Sequence, residues 1–195
     1  MKKSLLFLTL ILFSIESFAK EFDAVLYQLN GDSLICKITD KGITIKEEER
    51  FILMAKKIVF LIDGIEVKKK ASDASGFKIK VNNEWWIYES RLFRKNQTFM
   101  KKEVDGLDLR LFSFTDYNPF NTYVPFTSYH VIQKVKESQD LFLPTTMWSI
   151  KNKVLEYFDN CQEVSDKINE EKFNLKTMDG VKIVMEIYKQ KCIKK

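Results

Sequence analysis

The sequence is poor in the residues from which many enzyme sites are built. Its 195 residues include one histidine, three cysteines, six glycines and three prolines. A single histidine excludes a metal site made of several imidazoles, and the cysteines follow no zinc-ligand spacing. The few glycines form no loop of the kind that cradles phosphates. The sequence therefore predicts no cofactor and no metal site.

Apolar runs of membrane-spanning length are also missing. Residues 1–19 combine Lys2 and Lys3, the apolar run Leu5–Phe13 and the small-residue pattern Ser17-Phe18-Ala19, which are the three parts of a secretory signal peptide. The apolar run is shorter than the ~20 residues that cross a bilayer, and a retained N-terminal anchor is the alternative interpretation. We expect an exported protein, periplasmic or secreted, with no transmembrane segment after signal cleavage.

The excess of positive charge is small. The chain carries 32 basic and 27 acidic side chains, a formal net charge of +5. The charges are dispersed, and the longest basic run is Lys68–Lys70, which is typical of a solvated strand end. This distribution favours solubility and predicts no nucleic-acid partner.

Residues 20–143 read as a β-rich body. Short apolar or alternating runs follow one another, of which Phe77–Val81 is the clearest half-buried strand. Turn signals separate them at Asn30-Gly31, Asp63-Gly64, Asn82-Asn83 and Asp105-Gly106. Such spacing predicts an antiparallel β-sandwich or open barrel.

Residues 144–195 read as a helical segment of the same domain. A first helix is predicted after Thr145 or Thr146, either of which has a hydroxyl that suits an N-cap. A second is predicted from Asn160, which forms a capping-box pattern with Glu163, and a third from Thr177. Their apolar stripes predict three helices packed on the sheet, so the fold class is α+β.

Three cysteines are an odd number for an exported chain. Cys161 and Cys192 fall on the apolar stripes of their helices, so the sequence allows a disulfide between them. Free buried thiols at all three positions are the alternative. Cys36 alternates with Leu34 and Ile38 on a predicted strand and reads as a small buried apolar residue.

Three segments carry a resemblance to a known group of proteins. They are the opening hairpin Leu29–Leu34, the pair formed by Val104-Asp105-Gly106 and Leu107–Phe114, and Phe158-Asp159-Asn160-Cys161 followed by Ile168 and Tyr188. Together they resemble a family of uncharacterised exported bacterial proteins with a β-rich body and a C-terminal helical segment. The chain departs from that family where Lys189, and not Asn, follows Tyr188. The resemblance implies export and a strand-then-helix architecture, and it implies no catalytic residues.

Candidates for catalysis are few. His130, the single histidine, lies in an apolar predicted strand with no nucleophile motif beside it, which is typical of a structural sheet residue. Asp105, Asp108 and Asp116 are the carboxylates that a glycosidase-like site would draw on, although aspartate is also common at turns and strand ends. We therefore expect no enzyme, and a small exported carboxylate-dependent hydrolase is the alternative.

An aromatic connection is the main candidate for binding. Residues 117–126 carry Tyr117, Phe120, Tyr123 and Phe126 together with two prolines, which stiffen the loop. Exposed rings of this kind bind peptides or glycans, and the alternative is a loop folded back over the sheet. Trp85 and Trp86 must face opposite sides of their strand. The sequence predicts a non-enzymatic binding or envelope-associated module with a protein, peptide or glycan partner of the cell envelope, or else a structural component of an envelope assembly.

Overall fold

The computed structural model describes residues 21–39, 57–117, 120, 123, 126–137, 139–145, 150–170 and 174–193. The predicted signal peptide, residues 1–19, lies outside the described residues, as do two short apolar or alternating runs, 43–46 and 51–54, for which the sequence predicts strands. Among the described residues no helix has the length and the apolar character that crossing a membrane requires.

Ten strands make one antiparallel sheet, and three helices follow it, so the predicted α+β fold with a C-terminal helical segment is confirmed. The sheet order is β10-β9-β8-β7-β6-β5-β1-β2-β3-β4. The strands are β1 (Glu21–Tyr27), β2 (Ser33–Thr39), β3 (Lys57–Ile62), β4 (Ile65–Lys70), β5 (Gly76–Val81), β6 (Glu84–Phe93), β7 (Asn96–Asp105), β8 (Leu109–Tyr117), β9 (Phe126–Lys134) and β10 (Gln139–Pro144). The helices are α1 (Ile150–Tyr157), α2 (Gln162–Glu170) and α3 (Met178–Lys191), and a short 3-10 helix, Ala71–Asp73, joins β4 to β5.

The hairpin turns form where the sequence places residues that tolerate a left-handed backbone. Asp63 and Gly64 adopt φ of 50° and 79°, and Asn82 and Asn83 adopt φ of 49° and 67°. Two consecutive residues with positive φ are the geometry of a tight hairpin turn. These two predicted turns therefore close the β3–β4 and β5–β6 hairpins.

The N-terminal half of the sheet curls around its own apolar core. Phe60 of β3 and Phe77 of β5 are separated in the sheet by two strands, and strands lie about 4.8 Å apart. Their ring centroids nevertheless lie only 5.8 Å apart, and Phe77 also contacts the ring of Phe99 on β7 at 5.1 Å. We call this curled region, β1 to β5 with the adjoining parts of β6 and β7, the N-terminal lobe.

The C-terminal half curls toward the opposite face. Met100 follows Phe99 on β7, so its side chain points to the other side of the sheet, where it packs with Phe112, Phe114 and Tyr129. The lobe closes where Arg91 of β6 binds Asp140 of β10. We call this region, formed by β6 to β10, the C-terminal lobe.

The helices cover the outside of the C-terminal lobe. Leu111 and Ile132 alternate with the inward-facing Phe112 and Val131 and pack against the helices. The helix residues that complete this core are Ile150, Val154, Tyr157, Phe158, Cys161, Val164, Ile168, Val181, Val184, Met185 and Tyr188. The predicted packing of the helical segment on the sheet is thus confirmed.

Two of the three predicted helix starts can be compared with the structure, because residues 146–149, where the first helix was predicted to begin, lie outside the described residues. Thr177 caps α3 as predicted, since its side chain accepts a hydrogen bond from the Gly180 amide at 3.2 Å. The prediction that Asn160 caps α2 is wrong by one residue. The carbonyl of Cys161 accepts a hydrogen bond from the Ser165 amide at 3.3 Å, so Cys161 is the N-cap residue of α2. The side chain of Asn160 instead points to the Tyr188 hydroxyl, 3.4 Å away.

Candidate functional site

The aromatic connection joins β8 to β9 at one end of the C-terminal lobe. Tyr117 ends β8, and its backbone pairs with that of Phe126, the first residue of β9. Phe120 and Tyr123 are 94% and 95% exposed, and Phe126 is 43% exposed. The side chain of Tyr117 and the remaining loop residues lie outside the described part of the chain. The structure therefore places three of the four predicted binding rings at the surface of the same hairpin.

The two tryptophans of β6 face opposite sides of the sheet. Trp86 packs against the core of the N-terminal lobe, and the Lys101 ammonium lies 4.0 Å above its ring. Trp85 points outward and is 45% exposed, with the ammonium of Lys78 at 4.7 Å. The outward tryptophan is thus available to a partner, whereas the inward one belongs to the fold.

Trp85 borders an apolar row on the outside of the N-terminal lobe. Strand pairing aligns Ile35 with Val25, Val25 with Lys78, and Lys78 with Ile87. Ile35 is 88% exposed and Ile87 is 38% exposed. We call these four residues, together with Trp85, the outer patch. It is a second surface on which large apolar groups meet solvent.

The structure does not assemble the three candidate carboxylates into one site. Asp105 and Asp108 lie near the turn that precedes β8, whereas Asp116 lies eight residues further along that strand. At about 3.3 Å per residue this places Asp116 some 26 Å from Asp108 along the chain. The carboxylate of Asp108 also lies 3.6 Å from the Lys136 ammonium.

Asp105 is held in its charged form. Lys102 binds one of its oxygens at 3.1 Å, and Arg110 binds the other at 3.1 Å. The hydrogen bond from Lys102, reinforced by the charges of Lys102 and Arg110, lowers the pKa of Asp105. A general acid needs the opposite shift, toward the working pH. Asp105 is therefore poorly suited to protonate a leaving group.

A row of polar residues crosses the middle of the sheet, and of its members sequence reasoning had singled out only His130. Lys101 pairs with Ser113, and Ser113 pairs with His130, so these three side chains lie side by side on the helix-covered face. The register of β7 and β8 shifts between Lys102 and Val104, which leaves Glu103 as a bulge residue. Glu103 belongs to the same row, because Ser113 donates a hydrogen bond to its carboxylate at 2.6 Å. No local sequence signal marks a bulge, because it depends on the partner strand.

His130 has one satisfied and one unsatisfied ring nitrogen. Its Nε2 lies 3.1 Å from the Lys176 carbonyl, which can only accept, so Nε2 carries the proton. Its Nδ1 is buried without a hydrogen-bond partner in the described residues. Burial lowers the pKa of His130, which favours the neutral ring. Because the Ser113 hydroxyl is bound to Glu103 and not to His130, the row is not arranged as a serine–histidine pair.

The helical segment contains a disulfide. Cys161, at the start of α2, is joined to Cys192, at the end of α3, with the two Cα atoms 5.7 Å apart. Glu163 lies beside them, with a carboxylate oxygen 3.3 Å from the Cys192 sulfur. These three residues have the composition of a metal site, but bonded sulfurs offer no thiolate to a metal. Cys36 is free and buried in the N-terminal lobe, and burial raises the pKa of its thiol.

A groove lies at the end of the C-terminal lobe opposite the aromatic connection. Its cavity of about 480 Å³ opens between the β7–β8 turn and the outward side of α3. Leu107 stands at the turn with 92% of its surface exposed. The lining residues are Val104, Asp105, Gly106, Leu107, Asp108, Leu109, Lys182, Met185, Glu186, Lys189 and Ile193.

Comparison with protein-family models, with characterised proteins and with solved structures finds no match to this chain. The resemblance to exported bacterial proteins therefore stays a prediction from the sequence. The function has to be argued from the surfaces of the molecule itself.

Proposed function

We propose that this chain is an exported, non-enzymatic binding or envelope-associated module whose main contact is the aromatic connection. Export, to the periplasm or beyond, rests on the signal-peptide pattern of residues 1–19. Its partner is a protein, peptide or glycan of the cell envelope. The observation that carries the proposal is the almost complete exposure of Phe120 and Tyr123.

Exposed aromatic rings have a physical reason to bind. Burying a large apolar side chain gains roughly 1.5–3 kcal/mol relative to leaving it in water. Phe120 and Tyr123 are 94% and 95% exposed and Phe126 is 43% exposed, so a partner that covers these rings can still gain much of this free energy. Aromatic side chains also lose little conformational entropy on binding, because they have only two rotatable bonds. A partner that covers these rings would therefore gain affinity from a small surface.

The polar groups favour this function over the alternative hydrolase. Asp105 and Asp108 are committed to neighbouring cations, and Asp116 lies at the other end of β8. A carboxylate mechanism needs two acids that face each other across a cleft with pKa values moved apart. The described carboxylates near the aromatic connection do not supply such a pair.

Replacing Tyr117, Phe120 and Tyr123 together by alanine tests the proposal. Affinity capture from envelope extract should recover a defined partner with the wild-type chain and lose it with the triple variant. The matched control is Leu29→Ala with Leu92→Ala, which removes exposed apolar side chains elsewhere. If the triple variant folds, as judged by circular dichroism, and captures the same partners as the wild type, the aromatic connection is not the contact.

The outer patch supports a second function, that of a structural component in an envelope assembly. A row containing Ile35, Ile87 and Trp85, on a sheet face that no described helix covers, is the kind of surface that subunits bury against one another. Replacing Ile35 and Ile87 by serine should then shift the protein to smaller complexes when native envelope extract is separated by size. An unchanged size distribution would count against the assembly role.

A further inference from the structure

The groove beside α3 has the size and lining of a small-molecule site. Its volume of about 480 Å³ falls within the roughly 300–1,000 Å³ that ligand pockets occupy. It lies at the β7–β8 turn, and the aromatic connection lies at the far end of β8. Nine residues of extended strand, about 30 Å, separate the two surfaces. The groove is therefore independent of the binding surface proposed above.

The floor of the groove is apolar. Leu109 and Met185 are buried members of the helix-covered core, and Val104 and Ile193 pack partly buried against it. At the rim, the turn is closed by a hydrogen bond from the Gly106 amide to the Leu109 carbonyl. A peptide laid on this floor would lose hydrogen bonds between its amides and water, at a cost for each unpaired group. An alkyl or aryl chain has no such cost.

The charged residues on the two walls of the groove differ in whether they form ion pairs. On the turn side, Asp105 is neutralised by Lys102 and Arg110, and Asp108 is near Lys136. On the helix side, Lys182 and Lys189 make no ion pair among the residues that the structure describes.

These two lysines lie on the same side of α3. Lys189 follows Lys182 by seven positions, which is about two helical turns or about 10.5 Å along the axis. Glu186 lies between them and accepts a hydrogen bond from Gln190 at 2.9 Å. The helix wall thus offers two ammonium groups above an apolar floor, and neither forms an ion pair with any residue that the structure describes.

We propose that this groove binds an amphipathic carboxylate of the fatty-acid type. The alkyl chain lies on the floor formed by Val104, Leu109, Met185 and Ile193, beneath Leu107. The carboxylate lies against the α3 wall, where the flexible side chains of Lys182 and Lys189 reach it from either side. Charge-assisted hydrogen bonds from the two ammonium groups hold the head group and set the orientation of the chain.

Calorimetric titration of the full chain with dodecanoate, kept below its micelle-forming concentration, tests the proposal. We expect saturable binding of one molecule per chain, weakened by added NaCl because the lysine contacts are exposed. The double variant K182Q/K189Q should bind about tenfold more weakly, and dodecanol, the neutral analogue, should bind the wild type about as weakly. Leu107→Ser should also lower the affinity without a change in fold.

Three controls separate this site from others. Lys151→Gln removes an exposed lysine on α1 and should leave the affinity for dodecanoate unchanged, as should Leu92→Ser. Phe120→Ala with Tyr123→Ala should also leave it unchanged, so that failure of the aromatic connection and failure of the groove are distinguishable. Equal binding of dodecanol and dodecanoate, equal binding by K182Q/K189Q and the wild type, or no binding by the wild type would each overturn the proposal.

Discussion

Arg91 and Asp140 close the C-terminal lobe. The Nη2 of Arg91 on β6 lies 2.9 Å from each carboxylate oxygen of Asp140 on β10. In a flat sheet these strands would be about 19 Å apart, because three others lie between them. The guanidinium also stacks on the Phe112 ring, with 4.3 Å between the charged carbon and the ring centroid. This ion pair therefore joins the two edges of the lobe over its aromatic core.

Asp140→Asn should lower the free energy of unfolding by about 2 kcal/mol. A fully buried ion pair loses roughly 3–5 kcal/mol when one partner is removed. The loss here is smaller because the two side chains keep 14% and 19% of their surface exposed and Glu89 remains 3.6 Å from Arg91. Urea denaturation measures the change.

The control for this pair is an ion pair at the exposed surface. Lys37 and Glu21 form one whose side chains are 51% and 40% exposed, so Glu21→Gln should leave the denaturation midpoint unchanged. Equal effects of Asp140→Asn and Glu21→Gln would show that the closure of the lobe does not depend on Arg91.

The disulfide should contribute strongly to stability. Cys161 and Cys192 are 31 residues apart. A cross-link over such a loop lowers the conformational entropy of the unfolded chain and so raises its free energy by roughly 3–4 kcal/mol. The double variant C161S/C192S should lose about this much in chemical denaturation. With the disulfide formed, thiol titration of the unreduced, denatured wild type should give one reactive thiol per chain, that of Cys36. Three reactive thiols would contradict the bond.

The local part of the fold was predictable because its signals lie next to one another in the sequence. The Asp63-Gly64 and Asn82-Asn83 turns need only two residues that tolerate positive φ, and Thr177 caps a helix through its own neighbours. The alternation of apolar residues and lysines in Phe77–Val81 predicts which side of the strand is buried. These elements therefore follow from short-range chemistry.

The long strands and the bulge were not predictable in the same way. The sequence indicates a strand from Trp85 to Tyr88, whereas β6 continues to Phe93 through Glu89, Ser90 and Arg91. Charged residues are tolerated there because Arg91 finds Asp140, which is 49 residues away in the chain. The Glu103 bulge likewise exists only against β8. Each depends on the identity of a distant partner strand, and no local pattern encodes that pairing.

The candidate surfaces also differ in whether their residues are close together in the sequence. The rings of Phe120, Tyr123 and Phe126 were recognisable because they cluster within one connection. The outer patch joins residues of β2, β1, β5 and β6, and the groove joins the β7–β8 turn to α3. A single apolar residue such as Ile35 or Leu107 does not indicate a surface site by itself. It does so only when the sheet register shows which residues of other elements lie beside it.

Gly180→Ala should destabilise the protein although alanine is the better helix former. Alanine normally gains about 0.8–1.0 kcal/mol over glycine inside a helix. At Gly180, however, a Cβ atom would clash with the backbone carbonyl of Asn174, and relieving such overpacking costs roughly 1–3 kcal/mol. Thermal unfolding should show a lower midpoint for Gly180→Ala and little change for Gln190→Ala, an exposed position on the same helix. A rise in the midpoint would contradict the prediction, because it would mean that the backbone at Asn174 can move away from the added Cβ atom at little cost.

Acidification should weaken the fold through His130. Burial is the main cause that lowers the pKa of His130 from 6.5, and it outweighs the hydrogen bond to Lys176 and the charge of Glu103. Because the unfolded chain then binds more protons than the folded one, stability is full above pH 6.5 and falls as the pH drops toward the folded-state pKa. Urea denaturation between about pH 7.5 and about pH 5.5 should show this loss in the wild type and a smaller one in His130→Gln, which removes the titrating group and keeps an amide donor for the Lys176 carbonyl. Identical pH profiles for the two proteins would show that the pKa of His130 is the same in the folded and the unfolded chain, which would contradict the prediction.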